Sequence, residues 1–248
     1  MKLSLLIHGI ADLVMPRRCA CCGRTLLLRE DVLCTGCLAD LPLTWLWKRE
    51  ANPMSEAFNA LLQREKDSSG DTEYQPPGRA AALFHYRSGY RNLTRDLKYR
   101  RNFGAGRFAA GMLGSRLAES PLFADVDLVA PVPLHFGRMW TRGYNQAAVI
   151  AGEVASALGV RFCPHLLARR RRTSSQTGFD RDGRMRNVRG GFTLGRSGRK
   201  ALANASHILL VDDVFTTGAT LAACERALRR FLGSGPRISV STLSVVAD

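Results

Sequence analysis

Residues 208–221, Ile-Leu-Leu-Val-Asp-Asp-Val-Phe-Thr-Thr-Gly-Ala-Thr-Leu, restrict the fold of this chain more than any other stretch. The apolar run Ile208 to Val211 is too short for a helix and predicts a strand buried on both faces, as in a parallel sheet covered by helices. From Ala219 the pattern becomes helical. Asp212 and Asp213 then fall at the carboxyl end of a strand, where open α/β sheets bind ligands. Adjacent carboxylates there accept from vicinal hydroxyls or ligate a hard cation. Thr216, Thr217, Gly218, Ala219 and Thr220 add hydroxyls, a residue without Cβ and the free N–H groups of a helix start, which are the parts of a phosphate cradle. A diol at one end and a monophosphate at the other suggest a ribose 5-phosphate. The plainer reading is a buried strand followed by a Thr-capped helix. Strand, acid pair and Thr-Gly-x-Thr in that order weigh for the site.

The segment resembles the phosphoribosyl pyrophosphate (PRPP) signature of type I phosphoribosyltransferases. The resemblance implies that Asp212 and Asp213 hold the ribose hydroxyls and serve the reaction. It also implies that Val211 and Phe215 to Thr220 complete the PRPP site, that Thr216 to Thr220 wrap the 5′-phosphate, and that Mg²⁺ accompanies the ligand.

The amino-terminal part carries a different chemistry. Cys19 and Cys22 form one C-x-x-C pair and Cys34 and Cys37 a second, each able to place two thiolates on one side of a tetrahedral ion, which predicts structural Zn²⁺. Cys21 is then a spare, and a shifted pairing through it stays open. A disulfide framework is disfavoured by five cysteines crowded between Cys19 and Cys37 and by the lack of a signal peptide. Upstream, Leu3, Leu6, Ile7, Ile10 and Val14 stand at helical spacing, with His8 and Asp12 interrupting the run and no small-x-small cleavage site following. That predicts an amphipathic helix packed on its own protein, with membrane contact as the alternative. No apolar run reaches the length of a membrane span, so a cytoplasmic protein is expected. Cys163 and Cys224 read as core thiols.

Between Asn52 and Gly78 the composition turns polar, with Pro and Gly, and reads as a linker or a loosely packed excursion. The division expected is 1–75, an N-terminal helix and zinc-ribbon domain, and 76–248, a phosphoribosyltransferase-like domain. Strands are predicted at Ala81–Tyr86, Val126–Ala130 and Ile238–Leu243, and helices from Leu93, over Gly106–Glu119 and up to Leu158. Strand and helix in alternation give an α/β fold, a parallel sheet flanked by helices. After the second strand, His135, Arg138 and Arg142 could meet pyrophosphate, or stand as solvated loop residues. Arg226, Arg229 and Arg230 share the outer face of the last helix and read as surface.

Arg142-Gly-Tyr-Asn-Gln146, together with the two cysteine pairs and the PRPP motif, resembles the competence protein F (ComF) family of double zinc ribbon and phosphoribosyltransferase proteins. Thr173-x-x-Gln176, Arg184-x-x-Asn187 and Phe192 match that family's loop before its next strand, so Gln176 and Arg184 join Arg138 and Arg142 as pyrophosphate and lid candidates. The loop from Arg169 to Gly191 is Arg-rich and too polar for a core, and a lid there would exclude water. A solvated basic loop is the other reading. With 36 basic and 21 acidic residues the chain carries +15, so its partners should be anionic. The resemblance implies two functions of different kinds: a phosphoribosyltransferase with an unidentified acceptor, or a single-stranded DNA-binding protein of natural transformation that works with other competence proteins. No nucleobase or amine pocket is spelled in the sequence. No stacking platform of exposed aromatics is obvious; Trp45, Trp47 and Trp140 are the candidates, against the plainer reading that Trp is more often packed than displayed.

Overall fold

The computed structural model describes residues 16–69, 75–87, 89–99, 103–134, 143–169, 191–196 and 198–246. Five strands, β1 (Ala80–His85), β2 (Leu128–Pro131), β3 (Arg161–Phe162), β6 (His207–Phe215) and β7 (Arg237–Val245), form one sheet in the order β1-β7-β6-β2-β3. Every neighbouring pair is parallel. The short strands β4 (Leu167–Arg169) and β5 (Phe192–Leu194) pair antiparallel as a separate ribbon. This is the α/β architecture that the branched apolar run predicts.

The helices in chain order are α1 (Thr35–Ala39), α2 (Pro53–Ser69), α3 (Arg91–Tyr99), α4 (Phe103–Ala118), α5 (Gln146–Leu158), α6 (Gly198–Leu202) and α7 (Ala219–Leu232). Strand alternation sends Leu209 and Val211 to one face, against Leu113 of α4 and Ile150 and Val154 of α5. Ile208 and Leu210 go to the other, against Phe58 of α2 and Leu221, Cys224 and Leu228 of α7. Both faces are therefore dry, which is why the strand reads as a continuous apolar run. α4 and α5 touch closely enough that a Cβ on Gly114 would lie 2.7 Å from the Cβ of Ala157. Cys163 and Cys224 are buried thiols, as predicted.

The predicted linker is corrected by the structure, because most of it is helix α2. Met54, Phe58, Leu61 and Leu62 recur at helical spacing and are buried or half-buried, while Glu56, Gln63 and Arg64 face outward. Asn52 starts the helix: Ser55 N–H donates to Asn52 Oδ1 (3.0 Å) and Asn52 N–H to Ser55 Oγ (3.0 Å). The same Asn52 amide donates to Leu46 O, Arg49 O and Ala80 O, fixing α2 to β1. Composition hid the stripe.

The cysteine-bearing segment lies against the sheet. Cys19, Leu26, Leu33 and Cys34 share an apolar cluster with Phe84, Leu93 and Leu113. Residues 42–44 then run antiparallel along the outer edge of β1, with Thr44 N–H donating to Leu83 O (3.1 Å) and His85 N–H to Pro42 O (2.8 Å). An edge that would otherwise present unpaired backbone is thereby covered. Among the described residues no helix is long and apolar enough to cross a membrane. The predicted amphipathic helix upstream of Pro16 falls outside the described residues.

Candidate functional site

The geometry at the middle of the sheet follows from strand lengths. β2 ends at Pro131, paired with Val211, and Val132 N–H donates to Val211 O (2.8 Å). β6 runs on through Asp212, Asp213, Val214 and Phe215, held by β7 as far as Val245. Beyond Val211 no described strand pairs with the β2 side of β6, which forms a ledge. From β2 the chain leaves for α5 on one face and reaches β3; from β6 it leaves for α7 on the other face and reaches β7. Adjacent strands whose connections depart in opposite directions define a topological switch point, the usual ligand crevice of such sheets.

Asp212 and Asp213 stand on this ledge, both half-buried. They belong to the strand rather than to the turn, which begins at Thr216. Successive strand residues point to opposite faces. Asp212 lies on the α7 side: burial first, and then the negative charge of Asp212, push the Cys224 thiol well up. Asp213 N–H donates to Asp212 Oδ1 (2.9 Å). Thr216 and Thr217 are exposed, and Gly218 caps α7 at φ +75° without a side-chain bond. A Cβ on Gly218 would meet Phe215 Cζ at 2.7 Å, so only glycine fits between the strand end and the helix start. The first turn of α7 carries no acid, which leaves the positive end of its dipole for an anion.

On the β2 side, Asn145 opens α5 by accepting from Ala147 N–H (3.1 Å) and donates to Val132 O (3.0 Å). One residue thus ties the helix start to the strand end across the crevice loop. The candidates Arg138, Arg142, Gln176 and Arg184, with His135 and Trp140, lie outside the described residues. The ribbon β4/β5 holds both ends of the predicted lid, and Phe192 is buried in it.

The second centre is the cysteine cluster. Sγ atoms of Cys19, Cys22, Cys34 and Cys37 lie within 4.8 Å of one another, and those of Cys22 and Cys34 are 3.7 Å apart. A Zn–S bond of about 2.3 Å in a tetrahedron requires sulfurs about 3.8 Å apart, so the four residues fit such an ion. Backbone N–H groups already serve the sulfurs: Cys34 donates to Cys19 Sγ (3.3 Å) and Cys37 to Cys34 Sγ (3.4 Å). Burial pushes the Cys19 thiol up, but N–H donors from Cys22, Cys34 and Cys21 outweigh it and hold the group at about 6. Burial and the neighbouring sulfurs push Cys37 strongly up. Cys21 is half-buried and outside the four-sulfur cluster.

The sequence reading missed Glu30. Its carboxylate accepts from Leu27 N–H (2.8 Å), Thr35 N–H (2.6 Å), Thr35 Oγ1 (2.8 Å) and Arg24 Nη2 (3.3 Å), which hold it at about 2. Glu30 thereby fastens the turn after the first cysteine pair to the helix start bearing the second. An acid shortly before Cys34-Thr-x-Cys37 was the available signal. Arg229 corrects a second expectation. It is no solvated surface residue: it pairs with buried Glu225 (2.7 Å) and donates to Gly233 O, Ser234 O and Pro236 O, closing the carboxyl end of α7.

The arrangement defines an α/β protein with a topological switch point in its sheet and a four-cysteine centre packed beside it. No protein-family model matches the chain. It is similar to competence protein F of Haemophilus influenzae, 27% identical over 218 residues, covering 86% of this chain and 91% of that protein. It is also similar to DNA utilization protein YhgH of Salmonella typhi, 33% identical over 104 residues, and of Escherichia coli K12, 31% identical over 104 residues. Those two matches cover 42% of this chain and 44% of each YhgH protein. The similarity to competence protein F agrees with the family that the motifs resemble.

Proposed function

We propose that this protein handles DNA in competence or DNA utilisation, and that its sheet domain is phosphoribosyltransferase-like and binds PRPP with Mg²⁺. The ledge of β6 at the switch point, with the acid pair on it and the glycine-capped, acid-free start of α7 beyond it, carries this reading. Asp212 and Asp213 take the ribose hydroxyls; Thr216 to Thr220 and the first N–H groups of α7 take the 5′-phosphate. Arg138, Arg142, Gln176 and Arg184 answer the pyrophosphate and the lid. Mg²⁺ neutralises the leaving pyrophosphate when bound. Any transfer breaks the C1′–O bond to pyrophosphate and forms a bond from C1′ to an acceptor that gives up a proton. Cys19, Cys22, Cys34 and Cys37 hold structural Zn²⁺, and the protein works in the cytoplasm.

A second reading keeps the fold without turnover, as a single-stranded DNA-binding protein. The names of the relatives, competence protein F and DNA utilization protein, favour DNA as partner in both readings. The test is thermal unfolding with PRPP and Mg²⁺ on the natural protein and on Asp212→Asn/Asp213→Asn. At a ligand concentration about one hundred times Kd, the natural protein should gain about 2.7 kcal/mol and the variant nothing. Absence of a shift in both overturns ligand binding and leaves the DNA-binding reading.

A further inference from the structure

Among the described residues Trp45 is the one non-glycine residue with positive φ, at +58°. Its flanks impose that conformation. Before it, Thr44 is fixed to β1 through its N–H to Leu83 O and its hydroxyl to Ala82 O. After it, Leu46 N–H donates to Thr44 Oγ1 (3.2 Å), and Trp47, 1% exposed, is sunk in the core with its carbonyl taking the Ser120 hydroxyl. A left-handed position between two anchors suits glycine, or asparagine, and penalises a large side chain. Burial does not compensate, because Trp45 is 46% exposed. Strain of this kind points from the outlier to a function.

The indole is braced and lies among cations. The Trp47 ring supports it at 5.4 Å between centroids, tilted by 39°, and Lys48 Nζ stands 4.8 Å over the Trp45 ring. Arg49 follows, exposed. At the other end of the same edge pairing, roughly 10–13 Å along at strand rise, Tyr86 is 40% exposed and is followed by exposed Arg87 and Arg91. Of the acids closest in sequence, Glu50 pairs with Arg79 (3.8 Å) and Asp40 is exposed. One displayed ring with a cation over its face and a second followed in sequence by exposed arginines, on a chain of net charge +15, match a polyanion that presents flat apolar faces.

We propose that Trp45, with Lys48 and Arg49, is a base-stacking site for single-stranded DNA on the outer edge of β1, and that Tyr86 with Arg87 continues its track. The proposal rests on the DNA-handling reading above and gives it a surface, apart from the crevice on β6. A base displaces the flexible Lys48 chain from the ring, and its ammonium moves to a flanking phosphate. Duplex DNA has no free base face to offer and gains nothing from the indole.

The experiment is anisotropy of a fluorescent oligo(dT) strand, across a salt series, with the full protein and with Trp45→Ala and Trp45→Tyr, each checked for an unchanged thermal transition. Trp45→Ala should weaken oligo(dT) binding on the order of ten- to a hundred-fold at unchanged salt slope. Trp45→Tyr should restore most of it, and binding of a duplex of equal length should not change. Equal affinity of the natural protein and Trp45→Ala would overturn the stacking site while leaving DNA handling intact. An equal loss for single strand and duplex, with a shallower salt slope, would overturn it in favour of a purely electrostatic patch. A natural protein that binds no oligo(dT) at low salt would overturn the DNA-handling reading itself.

Discussion

Gly218 meets two demands that no other residue type meets together. Its φ of +75° strains any residue with a Cβ, and that Cβ would lie 2.7 Å from Phe215 Cζ and 2.9 Å from Cε2. Phe215 is 3% exposed and has no easy way out. Gly218→Ala is therefore expected to cost roughly 1–3 kcal/mol in urea unfolding and to abolish the PRPP-dependent rise in melting temperature. Gly159, at φ +68° with nothing within 4 Å of an added Cβ, separates the terms: Gly159→Asn should cost only a few tenths of a kcal/mol. Close backbone approach at Gly218 was legible in Thr-Gly-x-Thr. That the neighbour would be Phe215 was not, because the strand end and the helix start meet only once both have formed. Glu30 carried only a positional signal, an acid just before the second cysteine pair, and its partners were hidden for a related reason. Its partners at Leu27, Thr35 and Arg24 converge only through two turns with no periodic signature.

At the scale of elements, the amino ends of β6 and β7 are joined by a network that no motif announced. His207 Nδ1 lies 2.8 Å from Asp125 Oδ1 and Nε2 2.7 Å from Ser239 Oγ, while Arg79 N–H donates to that same Ser239 Oγ (3.0 Å). Arg79 and Arg237 reach the Asp125 carboxylate at 2.9 and 3.4 Å, and Asp127 accepts from His207 N–H and Ser206. Burial foremost holds the His207 ring below its ordinary pKa against the pull of Asp125, with Arg237 and Arg79 opposing its charge. As pH falls through about 6.5, the unfolded chain takes up a proton that the folded ring refuses, so stability declines with acid. Burial works against Asp125, but His207 and Arg79 prevail and keep it below its ordinary value, so its own contribution is lost only at lower pH. The urea midpoint should thus drop between pH 7.5 and 5.5, and His207→Gln should flatten that drop; parallel slopes would refute the assignment. Elements with a strong apolar content were legible: β6 through its run Ile208 to Val211, α4 and α5 through stretches rich in Ala. Helix α2 was masked by a polar outer face, and β4 with β5 are too short to carry a period.

For the whole molecule the question is whether the cysteine ribbon and the sheet stand or fall together. Polar composition near Asn52 suggested two bodies joined by a linker, yet Cys19 and Cys34 sit in the apolar cluster that contains Phe84 and Leu113. Tyr90 Oη donates to Cys37 O (3.1 Å), and residues 42–44 extend the sheet at β1. Ion binding to four thiolates favours the folded ribbon, since the unfolded chain holds no such site. Through the shared cluster that stabilisation should reach the sheet. Removal of the ion with a chelator is therefore expected to lower the unfolding midpoint of the sheet itself by several degrees, at about 2–4 °C for each kcal/mol lost. Cys34→Ser should do the same without chelator, whereas Cys163→Ser, a buried thiol outside the cluster, should leave the response to chelator intact. Calorimetry decides between the alternatives: one transition that moves as a unit marks a single cooperative body. A small transition lost on chelation, with the main one unmoved, would mean that the contacts around Phe84 are too weak to couple the ribbon to the sheet.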